Sequence, residues 1–72
     1  MKLTCKKLRT LLPIRYNKRI YKSGKNVRID LSDGVGVEKI DEIQSTLEKH
    51  NIIMFQDDFV HLPYNFVVEY NF

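Results

Sequence analysis

Apolar residues recur with a helical period in two stretches of this chain and at every second residue elsewhere, and this change of period decides the fold class. The first helical stretch follows Thr4, a favourable N-cap residue, and ends at Pro13, which cannot donate a backbone hydrogen bond. Its apolar side chains fall within an arc of about 120°: Cys5, Leu8, Leu11 and Leu12. The pattern predicts a short helix with one apolar side and one basic side.

After the proline the period changes to two, which predicts a half-buried hairpin. Residues 27–31 alternate between apolar and charged, residues 19–21 supply the partner strand, and Ser23-Gly24-Lys25-Asn26 supplies the turn. If Ile20 faces inward, then Arg19, Tyr21 and Arg28 point outward together. The same parity places Arg15 and Asn17 on that outer face.

A second amphipathic helix is predicted from about Val37 to His50. Its inward arc holds five residues: Val37, Ile40, Ile43, Gln44 and Leu47. Acidic residues crowd its first turns, where the helix dipole favours anions. Asn51 can take the left-handed conformation that closes a helix.

The last part of the chain has strand-like patterns. Strands are predicted at 52–55, 59–62 and 66–72, with a tight turn at Gln56-Asp57-Asp58. In the final strand Phe66, Val68, Tyr70 and Phe72 share one face. The resulting order, α-β-β-α-β-β-β, predicts one α+β domain over residues 1–72, with two amphipathic helices on one face of a largely antiparallel sheet.

The residue inventory disfavours catalysis, and no cofactor or metal is expected. A zinc site needs about four Cys or His ligands, and the chain has Cys5, His50 and His61. Gly34 and Gly36 precede a helix but complete no nucleotide-binding fingerprint. The lone cysteine, the absence of a signal-peptide pattern and the absence of a long apolar run lead us to expect a cytoplasmic protein with no membrane partner.

Charge is divided unevenly along the chain, although the net charge is only +3. Residues 30–72 carry two cations against all nine acids. Residues 1–29 carry no acid and ten cations: Lys2, Lys6, Lys7, Arg9, Arg15, Lys18, Arg19, Lys22, Lys25 and Arg28. Clustered like charges destabilise a small domain, so the division favours a partner that compensates them.

Cations interleaved with tyrosines are typical of a surface that follows a phosphate backbone and stacks on bases. We therefore predict a small non-catalytic protein that binds DNA or RNA with weak sequence specificity, because the longer helix is too acidic to read a major groove. Its predicted binding residues are Lys6, Arg9, Arg15, Tyr16, Lys18, Arg19, Tyr21, Lys22, Lys25 and Arg28.

A protein partner fits the same charge pattern. In that alternative the chain is a small inhibitor or adaptor, of the kind that viruses and mobile elements encode, and its basic face docks on an acidic surface such as a nucleic-acid-processing complex. A homodimer that joins the basic half of one copy to the acidic half of another is a variant of this alternative. The sequence leaves these alternatives open.

Overall fold

The computed structural model describes residues 2–56 and 64–71. Its first helix, α1, covers Cys5–Leu11 and begins where the sequence predicts. The Thr4 hydroxyl accepts a hydrogen bond from the Lys7 backbone N–H at 3.1 Å, which satisfies one of the unpaired donors of the first turn. Leu12 is already extended, as a residue before proline prefers. Both predicted ends of this helix are confirmed.

A 3-10 helix, Ile14–Arg19, follows the proline, and the sequence did not predict it. The Tyr16 N–H donates to the Pro13 carbonyl oxygen at 3.0 Å, which starts the turn. Arg15 and Asn17 therefore lie on this 3-10 helix rather than on the outer face of a strand. The parity argument failed because the chain does not become extended until Ile20.

The predicted hairpin is confirmed. Strand β1 covers Ile20–Ser23 and strand β2 covers Asn26–Asp30, and the two pair antiparallel. Gly24 lies in the two-residue turn with φ of +61°, a conformation in which a Cβ atom would be strained.

Two further strands complete a four-stranded antiparallel sheet. Strand β3 covers Ile52–Gln56, strand β4 covers Asn65–Tyr70, and the strand order is β1-β2-β4-β3. The last strand in the chain is therefore internal to the sheet. The strand predicted at 59–62 lies outside the described residues, as do the last two residues of the predicted turn at 56–58.

The second helix, α2, covers Val37–Glu48 and ends two residues before the predicted end. Asn51 has φ of +57°, the left-handed conformation that the sequence predicts for it. Ile40, Ile43 and Leu47 are buried as predicted. Val37 is exposed instead, because the first residue of the helix lies beyond the edge of the core.

Both helices lie on one face of the sheet, which confirms the predicted α+β arrangement. Helix α1 contacts β1 at one edge of the sheet, and α2 contacts β3 at the other edge. Alternate strand residues meet the helices in one apolar core: Leu8, Leu12, Tyr16, Ile20, Val27, Ile29, Leu31, Ile40, Ile43, Leu47, Ile52, Met54 and Val68. Within residues 2–56 and 64–71, no helix has the length and apolarity that crossing a bilayer requires.

Candidate nucleic-acid interface

Eight of the ten N-terminal cations are exposed, and seven of these eight, all but Arg9, make no side-chain hydrogen bond or ion pair within the described residues. We call these seven residues the basic surface: Lys2, Lys6, Lys7, Arg15, Lys18, Lys22 and Lys25. The elements that carry them are in contact, because α1, the 3-10 helix and β1 pack against one another. Lys2 lines one shallow hollow with Lys25 and a second with Lys7, so these three lysines are neighbours.

Arg9, which the sequence predicts to bind nucleic acid, is held by the backbone of the domain. Its Nη2 donates to the Ile20 carbonyl oxygen at 2.9 Å, and its Nε lies 3.4 Å from the Asn17 carbonyl oxygen. These bonds tie α1 to the junction between the 3-10 helix and β1. Because its guanidinium is bonded to main-chain carbonyls, we assign Arg9 a structural role and do not count it among the phosphate contacts.

Arg19 has a similar structural role between the 3-10 helix and the loop after β2. It is half-buried, and its two terminal nitrogens donate to the carbonyl oxygens of Asp30 and Asp33. These bonds fix the loop between β2 and α2. The outward orientation predicted for Arg19 on a strand is wrong, because Arg19 ends the 3-10 helix and reaches back toward that loop.

The carboxylate of Asp30 is stabilised in its charged form. Hydrogen bonds from the Ser32 hydroxyl and the Ser32 backbone N–H hold the pKa of Asp30 below 3.8, and the charge of Arg19 acts in the same direction. Partial burial opposes these effects and raises the pKa. The loop after β2 is therefore ordered by one ionised carboxylate and one arginine.

Arg28 is on the predicted face of the sheet but is not accessible to solvent. Only 5% of its surface is exposed, and its Nη1 donates to Asn65 Oδ1 at 3.1 Å. Asn65 Nδ2 donates in turn to the Tyr21 hydroxyl at 2.8 Å. The expectation that Arg28 faces solvent is therefore wrong, and a side chain buried to this extent is not available to phosphates.

Tyr16 cannot stack on a base as predicted, because it belongs to the core. Its side chain is 5% exposed, and the Arg15 guanidinium carbon lies 5.0 Å from its ring centroid. This distance is within the range of a cation–π contact. Of the two predicted stacking tyrosines, Tyr21 alone keeps an exposed ring.

The sheet face that points away from both helices carries a second exposed aromatic residue, which the sequence analysis missed. Tyr21, Arg28, Val67 and Phe55 form one cross-strand row over all four strands. Tyr21 is 38% exposed and Phe55 is 41% exposed. The signal was present in the alternation of β3, where Ile52 and Met54 face the core and Phe55 has the opposite parity.

Charge is divided in space as well as along the chain. Helix α2 lies over β3 and carries four acids, whereas the basic surface belongs to the elements around β1. β1 and β3 are the two edges of the sheet. The acids of α2 and the basic surface are therefore on different elements, which meet where Arg15 and Glu42 line one hollow, and a polyanion is attracted to the cations around β1.

Chemistry that needs a cluster of ligands has no support in the part of the chain that the structure describes. No group of three or more His, Cys, Asp or Glu side chains in that part could hold a metal ion. Cys5 is a free, half-buried thiol that packs against the core, and His50 is exposed. His61 lies outside the described residues.

No protein-family model, no curated protein and no solved structure matches this chain.

Proposed function

We propose that this protein binds nucleic acid without catalysis and uses the basic surface to contact the phosphate backbone. The observation that carries the proposal is the set of seven exposed cations on adjoining elements, with no carboxylate partner within the described residues. These cations repel one another in the free protein. A bound nucleic acid relieves this repulsion and releases the counterions that surrounded its phosphates.

The phosphate contacts differ from those that the sequence alone predicts. Arg9, Arg19 and Arg28 are held by the fold, so the binding energy falls to lysines and to Arg15. Lys22 and Lys25 are on the hairpin, and Lys6 and Lys18 are on the two adjoining helices. Lysine contacts to phosphates carry no sequence information, which supports weak sequence specificity.

Salt dependence of binding tests this proposal directly. With three to seven phosphate contacts, log K for a single strand should fall with log salt at a slope of about −2 to −5. Replacing both Lys22 and Lys25 by glutamine should make the slope less steep by about 1.4, since each lost contact removes about 0.7.

Lys49→Gln is the control for loss of one lysine outside the basic surface, and its slope should stay unchanged, because Lys49 is exposed at the end of α2. Fluorescence anisotropy of a labelled oligonucleotide over a salt series measures all three proteins. Absence of binding at low salt contradicts the proposal, and so does a slope that the double substitution leaves unchanged.

A protein partner is the second candidate, and one observation favours it. Ile14 is 83% exposed and precedes Arg15 on the 3-10 helix. An exposed apolar side chain beside cations is a suitable anchor for an acidic protein surface, and the protein would then act as an inhibitor or adaptor. The test is whether an acidic protein is retained on the immobilised chain. Retention that persists after nuclease treatment and is weaker for Ile14→Ser supports this candidate.

We also propose that the protein acts in the cytoplasm. Cys5 is the chain's one cysteine and is free, and a reducing compartment keeps such a thiol reduced.

A further inference from the structure

The sheet face opposite the helices has the features of a stacking surface for bases. Its central row contains Tyr21 at one edge and Phe55 at the other, with Arg28 and Val67 between them. The two rings are exposed, whereas the two residues between them are buried. The two rings are therefore the accessible aromatic positions of this row, and the residues between them are covered.

Tyr21 is held in place by a hydrogen bond that spans two strands. Its hydroxyl accepts from Asn65 Nδ2 at 2.8 Å. Strand β2 lies between β1 and β4, so the tyrosine ring crosses β2 to reach this partner. A ring laid over the sheet and fixed at its hydroxyl loses little conformational entropy when a base stacks on it.

The backbones of Phe55 and Tyr21 are three strand spacings apart, which is about 14 Å, and the Tyr21 ring reaches from β1 toward Asn65 on β4. The two rings are therefore closer together than their backbones and suit two bases of one strand. Val67, directly opposite Phe55, is buried, so the Phe55 ring is the contact at this edge. Base faces are hidden within a duplex, so only a single strand can present them to these two rings.

Charge at the β1 edge sets where the phosphates lie. Lys22 follows Tyr21 on β1 with the opposite parity, so it lies on the helix side of that edge, and Lys25 is in the turn of the same hairpin; both belong to the basic surface. Glu69 is exposed opposite Ile53, near the Phe55 edge, and repels phosphates there. A bound strand therefore has its backbone along the β1 edge and its bases against the two exposed rings.

We propose that this protein prefers single-stranded nucleic acid and that Tyr21 and Phe55 each stack on a base. The inference rests on the proposed nucleic-acid binding and specifies its substrate. The lysines supply attraction to any polyanion, and the two rings supply the preference for an unpaired strand.

Substitution of the rings tests the preference. The probe is a labelled oligothymidylate of about 12 nucleotides, within the site size of small single-strand-binding folds, and its duplex with oligodeoxyadenylate is the reference. Phe55→Ala and Tyr21→Ala should each weaken binding of the single strand by about 5- to 150-fold. Duplex binding and the salt slope should change little. Tyr21→Phe and Phe55→Tyr keep a ring at each position and should retain the affinity.

Phe55→Trp provides a readout independent of affinity. The chain contains no tryptophan, so the new indole is the one tryptophan emitter, and stacking on thymine should quench it at saturating oligothymidylate. Circular dichroism establishes that each variant is folded. If Tyr21→Ala fails to fold because the hydrogen bond to Asn65 is lost, Phe55→Ala and Phe55→Trp still test stacking. The Phe55 ring is exposed, so these two substitutions should leave the fold intact.

Three outcomes have distinct meanings. Single-strand binding that the ring substitutions weaken, with quenching of the tryptophan, supports the inference. Equal binding of single strand and duplex that depends on Lys22 and Lys25 but not on the rings overturns the inference and leaves the proposed function standing. Absence of binding to either nucleic acid overturns both and favours the protein partner.

Discussion

Charge reversal at Arg28 should unfold this protein, although the same reversal at a neighbouring residue should not. In Arg28→Glu, Asn65 Oδ1 loses the donor that now lies 3.1 Å away, and an unsatisfied buried acceptor costs about 1–3 kcal/mol. The new carboxylate replaces a side chain that is 5% exposed, and burying an unpaired charge costs several kcal/mol more. We expect a total loss of about 4 kcal/mol or more.

This loss is large for a domain of this size. Typical stabilities of about 0.05–0.15 kcal/mol per residue give about 4–11 kcal/mol for the whole chain. At a urea m-value of about 1–2 kcal/mol per molar, a loss of 4 kcal/mol lowers the unfolding midpoint by about 2–4 M. Urea titration monitored by circular dichroism measures the shift. If the stability of the natural protein is near the lower end, about 4 kcal/mol, the variant is unfolded without denaturant.

Two further variants at and near this site make the test specific. Lys22→Glu changes the net charge by the same amount on the same hairpin, but Lys22 is exposed, so the free energy of unfolding should change by about 0.5 kcal/mol or less. Arg28→Met removes the charge, keeps much of the volume and leaves Asn65 Oδ1 unsatisfied, with an expected loss of about 1–3 kcal/mol. Equal urea midpoints for Arg28→Glu and Lys22→Glu would refute the reasoning from burial.

Two other substitutions test the core and the loop after β2. Leu47 is fully buried, so Leu47→Ala should lower the free energy of unfolding by about 2–5 kcal/mol, and a change below about 1 kcal/mol in urea titration would contradict its place in the core. The pKa of Asp30 is lowered from 3.8 in the folded protein, so its contribution to stability is present above that pH and is lost as the pH falls through the folded value. Asp30→Asn should therefore be less stable than the natural protein at neutral pH, and the difference should shrink below about pH 3.8; a difference that stays constant down to about pH 2 argues against an ionised Asp30 as the cause.

Local sequence patterns were sufficient for most of the secondary structure. Thr4 and Pro13 bound α1, the Gly24 turn joins the hairpin, and Asn51 follows α2 in the left-handed conformation. Each of these signals depends on residues within a few positions of one another, so it acts before any tertiary contact forms. The 3-10 helix had no such signal, because a segment of six residues is too short to show a period of its own.

The candidate binding residues were predicted less well than the fold, because charge and parity do not report burial. Ten cations were visible in the sequence, but charge alone did not distinguish buried Arg28 from exposed Lys22, since both lie on strands of one hairpin. The structure separates them, and it also moves Tyr16 into the core. Phe55 was not among the predicted binding residues, because the exposure of its ring depends on which sheet face the helices cover.

By itself, the sequence determined the period of most segments, both ends of α1, the start of α2 and the division of charge, because these depend on near neighbours along the chain. The tertiary structure decided which cations remain available to a partner. Arg28 meets Asn65 at a separation of 37 residues, and Asn65 meets Tyr21 at a separation of 44. Only the strand order β1-β2-β4-β3 brings these residues together. A guanidinium is a binding group or a structural clamp according to which acceptor lies beside it in the folded chain, and that acceptor is set by the packing of distant segments.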